Sequence, residues 1–377
     1  MKTCETHVCL VSDQPIPNLT TVRQFKPDRV ILLYTKDMIN QKNRLEQVIR
    51  TNKLEVESRE IQPFNLANVM EESEKILAEN RDCHVSLNIT GGTKVSTIGT
   101  FQSFYSAGKT IYYVNSRDDE ILQLAPEETK IAINVQISIK EYLAAHGFMV
   151  EKYTKNDGEI KSRGKVTEAL CKLAITSARA LGILNQAFPE NFEQCQYPLT
   201  IRLPDPLIME LVPLLGKHGL AKSTDKDSLL INNLESARYL HGFWFEEYVY
   251  SAAQGAGADE VKLNVSGKWD APGKNSPKNE FDVMIGKGNR LFYISCKTAN
   301  PDRPSNDNKE SVGKEYLYEL DSLGDRALGL FGKKSLASAR SVKNEYVKKR
   351  AKTMNIRIFD HNDLPNLKNK LREWLNA

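Results

Sequence analysis

Apolar and polar residues follow two different periods in the N-terminal part of the chain. Short apolar runs predict four strands, at 7–11, 29–34, 85–89 and 110–114. Apolar residues at helical spacing predict three helices, at 38–51, 66–79 and 94–107. Strands that alternate with helices indicate a parallel, doubly wound α/β sheet, which binds ligands beyond the carboxyl ends of its strands.

The turn after the third of these strands has the residues of an anion-binding loop. Gly91 and Gly92 allow the backbone to turn tightly against a ligand. Thr90, Thr93 and Lys94 add hydroxyl groups and a positive charge, and the next helix begins with free N–H groups that suit phosphate oxygens. Neither a P-loop nor a dinucleotide-binding fingerprint is present, and a plain strand-to-helix turn would explain the two glycines equally well.

Three loops at this edge of the predicted sheet together resemble the CARF domain, the Rossmann-like sensor of CRISPR-associated proteins. The first strand ends in Val-Ser-Asp-Gln-x-x-Pro-Asn, the second ends in Tyr-Thr-Lys, and the third leads into Asn-x-Thr-Gly-Gly-Thr-Lys. The resemblance covers residues 1–150. It implies a homodimer that binds a cyclic oligoadenylate, with cyclic tetra-adenylate as the expected ring. The implied ligand-binding residues are Ser12, Asp13, Gln14, Asn18, Thr35, Lys36, Thr90, Gly91, Gly92, Thr93 and Lys94.

Near the C-terminus, strict alternation on both sides of a Gly/Asn turn predicts a β-hairpin over 279–297. Successive side chains of a strand point to opposite faces, so Glu280 shares a face with Asp282, and Ser295 shares one with Lys297. Two carboxylates, a hydroxyl and an ammonium group on one face suit phosphodiester hydrolysis. Carboxylates would hold a divalent metal, and a lysine would stabilise the growing negative charge.

The register of this hairpin depends on where its turn lies. A turn centred on 287–288 would set Asp282 opposite Tyr293 and Glu280 opposite Ser295. The alternative is an exposed edge hairpin that carries charges only to stay soluble.

This hairpin resembles the core of the PD-(D/E)XK nucleases, which have an Asp on one strand and acid-x-Lys on the next. The segment 241–250 resembles the helix that supplies their first acidic residue, which would be Glu246. The implied catalytic residues are Glu246, Glu280, Asp282, Ser295 and Lys297, and the implied metal ligands for Mg²⁺ or Mn²⁺ are Asp282, Glu280 and Glu246.

One position departs from the nuclease pattern, because Ser295 stands where the family has Asp or Glu. A serine hydroxyl is a weak, neutral metal ligand, so the site could be inactive. Alternatively, Glu280 supplies the missing carboxylate from the neighbouring strand, which is the interpretation we favour.

The remaining segments predict a connector and a third domain. Residues 151–235 contain predicted helices at 166–181 and 207–217 and a strand at 228–231, which could form a winged-helix-like unit. The restriction-endonuclease-like α/β domain would then cover 236–377.

The composition of the chain restricts its number of domains, its compartment and its partners, but it does not identify a site. With 377 residues the chain can hold two or three domains, and its net charge of +4 is too small to indicate nucleic-acid binding by itself. Six cysteines without a CxxC pair predict free thiols in a reducing compartment. No signal peptide and no membrane-length apolar run are present in this sequence, which predicts a cytoplasmic protein without a membrane partner.

The whole chain resembles CRISPR ancillary effectors that join a CARF sensor to a PD-(D/E)XK nuclease. This implies a cyclic-oligoadenylate-activated, metal-dependent endonuclease that cleaves RNA or DNA non-specifically in type III CRISPR antiviral defence. The competing hypothesis is a ligand-responsive regulator whose nuclease-like domain binds nucleic acid without cleaving it. Intact Asp282 and Lys297 favour the enzyme, and Ser295 favours the regulator.

Overall fold

Three β-sheets organise the residues that the computed structural model describes, which are 4–50, 54–155, 157–270, 276–304 and 311–377. Among these residues, no helix has the length and apolar character needed to cross a membrane. All six cysteines are free thiols, as the sequence predicts.

The N-terminal third of the chain forms a seven-stranded sheet. Its strands are β1 (Cys4–Leu10), β2 (Arg29–Tyr34), β3 (Glu55–Glu60), β4 (Cys83–Asn88), β5 (Thr110–Asn115), β6 (Glu120–Ala125) and β7 (Thr129–Ala132). They lie in the order β3-β2-β1-β4-β5-β6-β7, with the first five parallel and the last two added in antiparallel pairs. The connections diverge between β1 and β4, which is where a doubly wound sheet opens its ligand crevice.

Five helices accompany this sheet: α1 (Ile16–Phe25), α2 (Ile39–Arg50), α3 (Leu66–Glu79), α4 (Lys94–Ser106) and α5 (Ile139–Ala145). The four predicted strands and the three predicted helices are all confirmed. Helix α1 was missed, because the prolines at its start suggest a loop. Proline is compatible with the first turn of a helix, and Ile16, Leu19 and Val22 repeat at helical spacing and are buried.

The connector follows β8 (Phe148–Thr154), a strand of the third sheet that spans the predicted boundary at residue 150. Its elements are α6 (Asp157–Ser162), α7 (Gly164–Thr176), α8 (Ala178–Gln186), β9 (Leu199–Arg202), α9 (Pro206–Met209), α10 (Val212–Lys217), β10 (Ala221–Asp225), β11 (Ser228–Ile231) and α11 (Leu234–Arg238). The three strands form an antiparallel sheet in the order β10-β11-β9. The connector is therefore a helix pair, a strand, two short helices and a hairpin, and its likeness to a winged helix stays a prediction.

Both helices predicted in the connector are divided. Ser177 ends α7 and caps α8, because its hydroxyl accepts a hydrogen bond from the backbone N–H of Ala180 at 3.1 Å. Pro213 lies in the first turn of α10, where a proline is tolerated, so the chain breaks just before it.

The C-terminal part surrounds a six-stranded mixed sheet. Its elements are α12 (Trp244–Gln254), β12 (Glu260–Trp269), β13 (Lys278–Lys287), β14 (Arg290–Lys297), α13 (Val312–Ala327), β15 (Lys333–Ser338), α14 (Glu345–Thr353), β16 (Ile356–Phe359) and α15 (Leu367–Asn376). The strand order is β16-β15-β14-β13-β12-β8, with β14, β15 and β16 parallel.

The predicted hairpin, β13 and β14, is central in this sheet and lies between β12 and β15. Val283 and Ile294 belong to one buried cluster with α12, whereas Tyr293 belongs to another with Leu317 of α13. An edge hairpin charged for solubility is therefore wrong. Solubility of an edge strand therefore does not explain the polar side chains at the open end of this hairpin.

The register of the hairpin differs from the predicted one by two residues. Its turn is Gly288–Asn289, with φ values of 54° and 51°, and Lys287 pairs with Arg290. Two successive left-handed residues form the turn whose twist matches that of the flanking strands, which a turn centred on 287–288 would not provide.

This shift changes which residues lie opposite each other across the hairpin, but it does not change the face of the sheet on which each side chain lies. The ladder pairs Val283 with Ile294, so Asp282 lies opposite Ser295, and its predicted place opposite Tyr293 is wrong. Glu280 is not opposite Ser295 either; it lies past the last paired residues and pairs on its other side with β12. A shift of two residues leaves each side chain on its predicted face.

Candidate functional site

Asp282 is held at the centre of the candidate site by two hydrogen bonds from β14. Its Oδ2 accepts one from the backbone N–H of Cys296 at 2.7 Å and one from the hydroxyl of Ser295 at 3.3 Å. Ser295 is only 3% exposed. Ser295 therefore orients the neighbouring aspartate.

Lys297 is surrounded by acidic and aromatic groups. Its Nζ lies 3.8 Å from Oε2 of Glu319 and 5.1 Å from the centre of the Tyr316 ring, both on α13. Burial alone would lower the pKa of Lys297, but Asp282 and Glu319 outweigh burial and raise it. The lysine is therefore a fixed positive charge and not a base. Asp321 of the same helix instead pairs with Lys334.

The two glutamates of α12 have different surroundings. Glu247 is fully buried, and both of its carboxylate oxygens accept hydrogen bonds from Nε of Arg163 at 3.0 Å, which ties α12 to the connector. Glu246 instead lies near Asp282 and Glu280, and burial, followed by these two carboxylates, raises its pKa. The structure brings Glu246, and not Glu247, to the hairpin.

Burial and mutual repulsion disfavour charge on the two inner carboxyl groups. Burial raises the pKa of Glu246 well above its ordinary value, and Asp282 raises it further. Burial likewise raises the pKa of Asp282, although Lys297 and the hydrogen bonds from β14 act against it. In the described part of the chain, Oε2 of Glu246 is buried without a hydrogen-bond partner.

This donor set fits a hard divalent cation, which would neutralise the repulsion and use the free carboxylate oxygen. The side chains have the chemistry of metal ligands, but they do not form a complete coordination shell. Over the ranges that the structure describes, no three His, Cys, Asp or Glu side chains are grouped closely enough to hold a metal ion. Glu280, the third predicted ligand, is exposed at the rim.

Asn264 of β12 lies at this site and was not predicted from the sequence. Its Nδ2 donates a hydrogen bond to Oε1 of Glu280 at 3.0 Å, and its backbone is left-handed, with φ 52°. The one signal in the sequence is a polar residue between the buried Leu263 and Val265, which is ordinary strand alternation. Nothing in that pattern distinguishes Asn264 from a solvent-facing residue.

A cleft of about 590 Å³ opens beside Glu246 and Glu280. Its walls come from β8, the connector and the turn before α12. They include the basic and aromatic side chains Lys152, Tyr153, Phe192, Arg238, His241 and Phe243 and two acidic ones, Glu235 and Glu193, the latter paired with Arg238. The aromatic side chains and Lys152 suit a phosphodiester chain with unstacked bases, whereas the two glutamates of the walls would repel its phosphates.

In the N-terminal sheet, the two glycines of the predicted anion-binding loop are required by the backbone. A Cβ on Gly91 would lie 2.2 Å from the carbonyl oxygen of Leu10, so the loop packs directly against β1. Gly92 has φ 85° and is exposed. The predicted tight turn is confirmed, and Lys94 follows it as an exposed residue at the start of α4.

The two threonines of this loop use their hydroxyl groups within the fold. Thr93 caps α4 by accepting from the N–H of Ser96 at 3.1 Å and donates to the carbonyl oxygen of Pro63 at 2.7 Å. Thr90 donates to Oδ1 of Asn88 at 2.6 Å. Both side chains therefore shape the loop.

The other predicted ligand-binding residues fall into two groups. Asn18 is buried below the crevice and donates to the carbonyl oxygen of Leu10 at 2.8 Å, and Thr35 is also buried. Ser12, Gln14 and the exposed residues Asp13 and Lys36 lie at or near the surface of the crevice. Gln14 reaches the C-terminal domain, since its Oε1 accepts a hydrogen bond from the N–H of Leu330 at 2.9 Å.

Comparison with solved structures finds the same architecture along the whole chain. Can2 from Sulfobacillus thermosulfidooxidans, solved in complex with cyclic tetra-adenylate, is 27% identical, with a TM-score of 0.79 over 99% of this chain and 97% of that chain. Protein VC1899 from Vibrio cholerae is 21% identical, with a TM-score of 0.86 over 98% of each chain. A type III CRISPR defence DNA nuclease activated by cyclic oligoadenylate is 15% identical, with a TM-score of 0.57 over 90% of this chain and 46% of that chain.

No curated protein sequence matches the chain. Two family models do. The Card1 CARF domain matches residues 6–142, and the Card1-like endonuclease domain matches residues 233–377. These are the two kinds of domain that the loops and the hairpin resemble in the sequence. The chain therefore joins a CARF domain of the Card1 family to a Card1-like endonuclease domain.

Proposed function

We propose that this protein is a divalent-metal-dependent nuclease that cyclic oligoadenylate activates in type III CRISPR defence, and that it cleaves RNA, DNA or both. The observation that carries the proposal is the grouping of Glu246, Asp282 and Lys297 in an endonuclease domain that is joined to a CARF domain. Buried, mutually perturbed ionisable groups beside a cleft are typical of catalytic sites.

In this proposal Glu246 and Asp282 hold Mg²⁺ or Mn²⁺, and Glu280 completes the set from the rim. The bound metal would polarise the phosphoryl group and make a water molecule more acidic. Ser295 and the N–H of Cys296 keep Asp282 in one orientation. The serine thus supports the metal-binding aspartate, and the absent acid at 295 does not preclude cleavage.

Lys297 supplies positive charge. Because its pKa is raised, it stays protonated and would stabilise the negative charge that develops on the phosphoryl oxygens. Glu319 and Tyr316 hold its side chain from α13. This gives α13 a direct influence on the candidate active site.

The activator in this proposal is cyclic tetra-adenylate. It would bind over the carboxyl ends of β1 and β4, against the exposed Gly92, Lys94 and Lys36. The structure of Can2 with cyclic tetra-adenylate supports this ring size, because its fold is shared along the whole chain.

The two sites are connected through α13. The N-terminal half of this helix lies against Lys297, and the loop after its C-terminal end contacts the CARF domain. There, Leu330 donates to Gln14, and the carbonyl oxygen of Leu328 accepts from the hydroxyl of Tyr142 at 2.7 Å. This contact could hold α13 in more than one position relative to the CARF domain. A ligand that binds the CARF domain more tightly in one of these positions would shift α13 and thereby Lys297.

We also propose a homodimer. Phe64 just before α3, Leu66 at its start and Ile98 in the second turn of α4 are exposed apolar side chains, with exposures of 79%, 45% and 61%, and we call them the apolar patch. The patch adjoins the anion-binding loop, since Thr93 bonds to Pro63. Exposed apolar patches of this kind mark interfaces, and a two-fold axis here would bring two ligand-binding loops onto one symmetric ring.

The test is a panel of labelled single-stranded RNA, single-stranded DNA and duplex DNA with Mg²⁺ or Mn²⁺. Each substrate is incubated with cyclic tetra-adenylate, with cyclic hexa-adenylate or without either. The proposal requires cleavage of at least one substrate that depends on both the metal and the tetra-adenylate. Tight ligand binding without cleavage of any substrate would instead support the regulator hypothesis.

A further inference from the structure

Asn264 interrupts β12 at the candidate active site. The pairing of β12 with β8 shifts register between Leu263 and Ser266, and Asn264 lies in this bulge with φ 52°. A left-handed residue inside a strand is unfavourable for every residue except glycine, although asparagine tolerates it better than most. Bulges and unusual backbone conformations of this kind recur beside active sites, where they redirect one side chain.

The redirected side chain stands between carboxylates of two different elements. Its Nδ2 donates to Oε1 of Glu280, on β13, at 3.0 Å. Glu246, at the start of α12, lines the same cleft as Asn264 and Glu280. Among the described residues, Oδ1 of Asn264 and Oε2 of Glu246 are both buried and without a hydrogen-bond partner.

Two other left-handed asparagines of this chain provide a comparison. Asn289 lies in the hairpin turn and bonds to backbone groups, accepting from the N–H of Ile137 at 2.7 Å and donating to the carbonyl oxygen of Val135 at 3.1 Å. Asn355, with φ 53°, lies in the turn between α14 and β16. Asn264 differs from Asn289 because it binds an acidic side chain.

We infer that Asn264 is a positioning residue of the proposed metal site, an inference that rests on the proposed function. Its amide group holds Glu280 beside Glu246, so that carboxylates from β13 and α12 face the same cation. This explains how Glu280, which is exposed and outside the β13–β14 ladder, contributes although it is not opposite Ser295. The bulge is the feature that places the amide there.

The test is Mn²⁺ affinity, measured by calorimetry and by the electron paramagnetic resonance of bound Mn²⁺. Asn264→Gly is the informative variant, because glycine adopts the left-handed backbone without strain and removes only the side chain. Affinity should fall by about 10- to 100-fold, as for other residues that orient metal ligands, while the melting temperature is unchanged or higher. Asn355→Gly is the matched control and should leave Mn²⁺ affinity unchanged.

A double-mutant cycle separates positioning from a purely structural role. If Asn264 acts through Glu280, the Asn264→Gly, Glu280→Ala double variant should bind Mn²⁺ no more weakly than Glu280→Ala alone. Additive losses, or wild-type affinity in Asn264→Gly, would overturn the inference. The proposed function fails in a different way: Mn²⁺ binding in the wild-type protein would then be absent or insensitive to Asp282→Asn, and the inference would fail with it.

Discussion

The hydroxyl of Ser295 donates a hydrogen bond to Oδ2 of Asp282, which lies opposite it on the neighbouring strand, at a distance of 3.3 Å. The backbone N–H of Cys296 donates to the same oxygen at 2.7 Å. Asp282 thus keeps one strong, charge-assisted hydrogen bond whether or not the serine is present.

Ser295→Ala should therefore be mild, and Glu280→Gln should be severe. The alanine variant loses one hydrogen bond, worth about 0.5–1.5 kcal/mol, so ligand-activated cleavage should slow by roughly tenfold at most. The glutamine variant loses a charged metal ligand, and its rate should fall by at least about 100-fold. Single-turnover cleavage rates measure both. The reverse order would show that Ser295 is the ligand and that Glu280 only faces solvent.

Lys94→Ala tests the sensor crevice. Lys94 is exposed at the first turn of α4, so its removal should leave the fold intact. Loss of one charged hydrogen bond should weaken cyclic tetra-adenylate binding by about 1.5–3 kcal/mol, which calorimetry resolves. Lys75→Ala, on the exposed face of α3, is the control. Equal affinity in the two variants would remove Lys94 from the ligand site.

Ile98→Asp tests the apolar patch. A buried, unpaired carboxylate at an interface is strongly unfavourable, so the variant should be monomeric in light scattering where the wild-type protein is dimeric. Leu207→Asp alters an exposed leucine of the connector, outside the apolar patch, and should leave the dimer intact. A wild-type protein that stays monomeric with and without ligand would contradict the proposed homodimer.

Glu246→Gln should stabilise the metal-free protein at mildly alkaline pH. Burial, followed by Asp282 and Glu280, raises the pKa of Glu246 in the folded protein. Between the unfolded and the folded pKa the folded state binds more protons, so stability falls as pH rises through that range. Glutamine has no carboxyl group to ionise, so the variant does not lose stability in this way. The melting temperature of the variant should exceed that of the wild type at alkaline pH, and the difference should shrink at acidic pH. A constant difference across pH would contradict the raised pKa.

The sequence predicted the faces of the hairpin but not its register. Faces follow from the two-residue period of a strand, which the alternation around Glu280 and Asp282 displays directly. Register depends on which two residues of a Gly/Asn segment adopt left-handed conformations, and two placements keep the same faces. The choice of Gly288–Asn289 is visible only in the folded turn.

The contact between Asn264 and Glu280 could not be predicted from the sequence. The contact between Gln14 and Leu330 could not be predicted either. Each contact joins strands or loops far apart in sequence, by 16 residues for Asn264 and Glu280 and by 316 residues for Gln14 and Leu330. The first and third CARF loops, in contrast, were predictable because each is a short segment whose prolines or glycines determine its local conformation.

The central claim is that the site around Asp282 cleaves nucleic acid only when the CARF domain holds its ligand. The most direct measurement is cleavage of labelled RNA and DNA by the wild-type protein and by Asp282→Asn, with Mn²⁺ and with or without cyclic tetra-adenylate. The account predicts cleavage by the wild type only with the ligand, and none by the variant, although both bind the ligand equally. Cleavage that persists in Asp282→Asn, or a wild-type protein that binds the ligand and cleaves neither RNA nor DNA with any divalent metal, would contradict it.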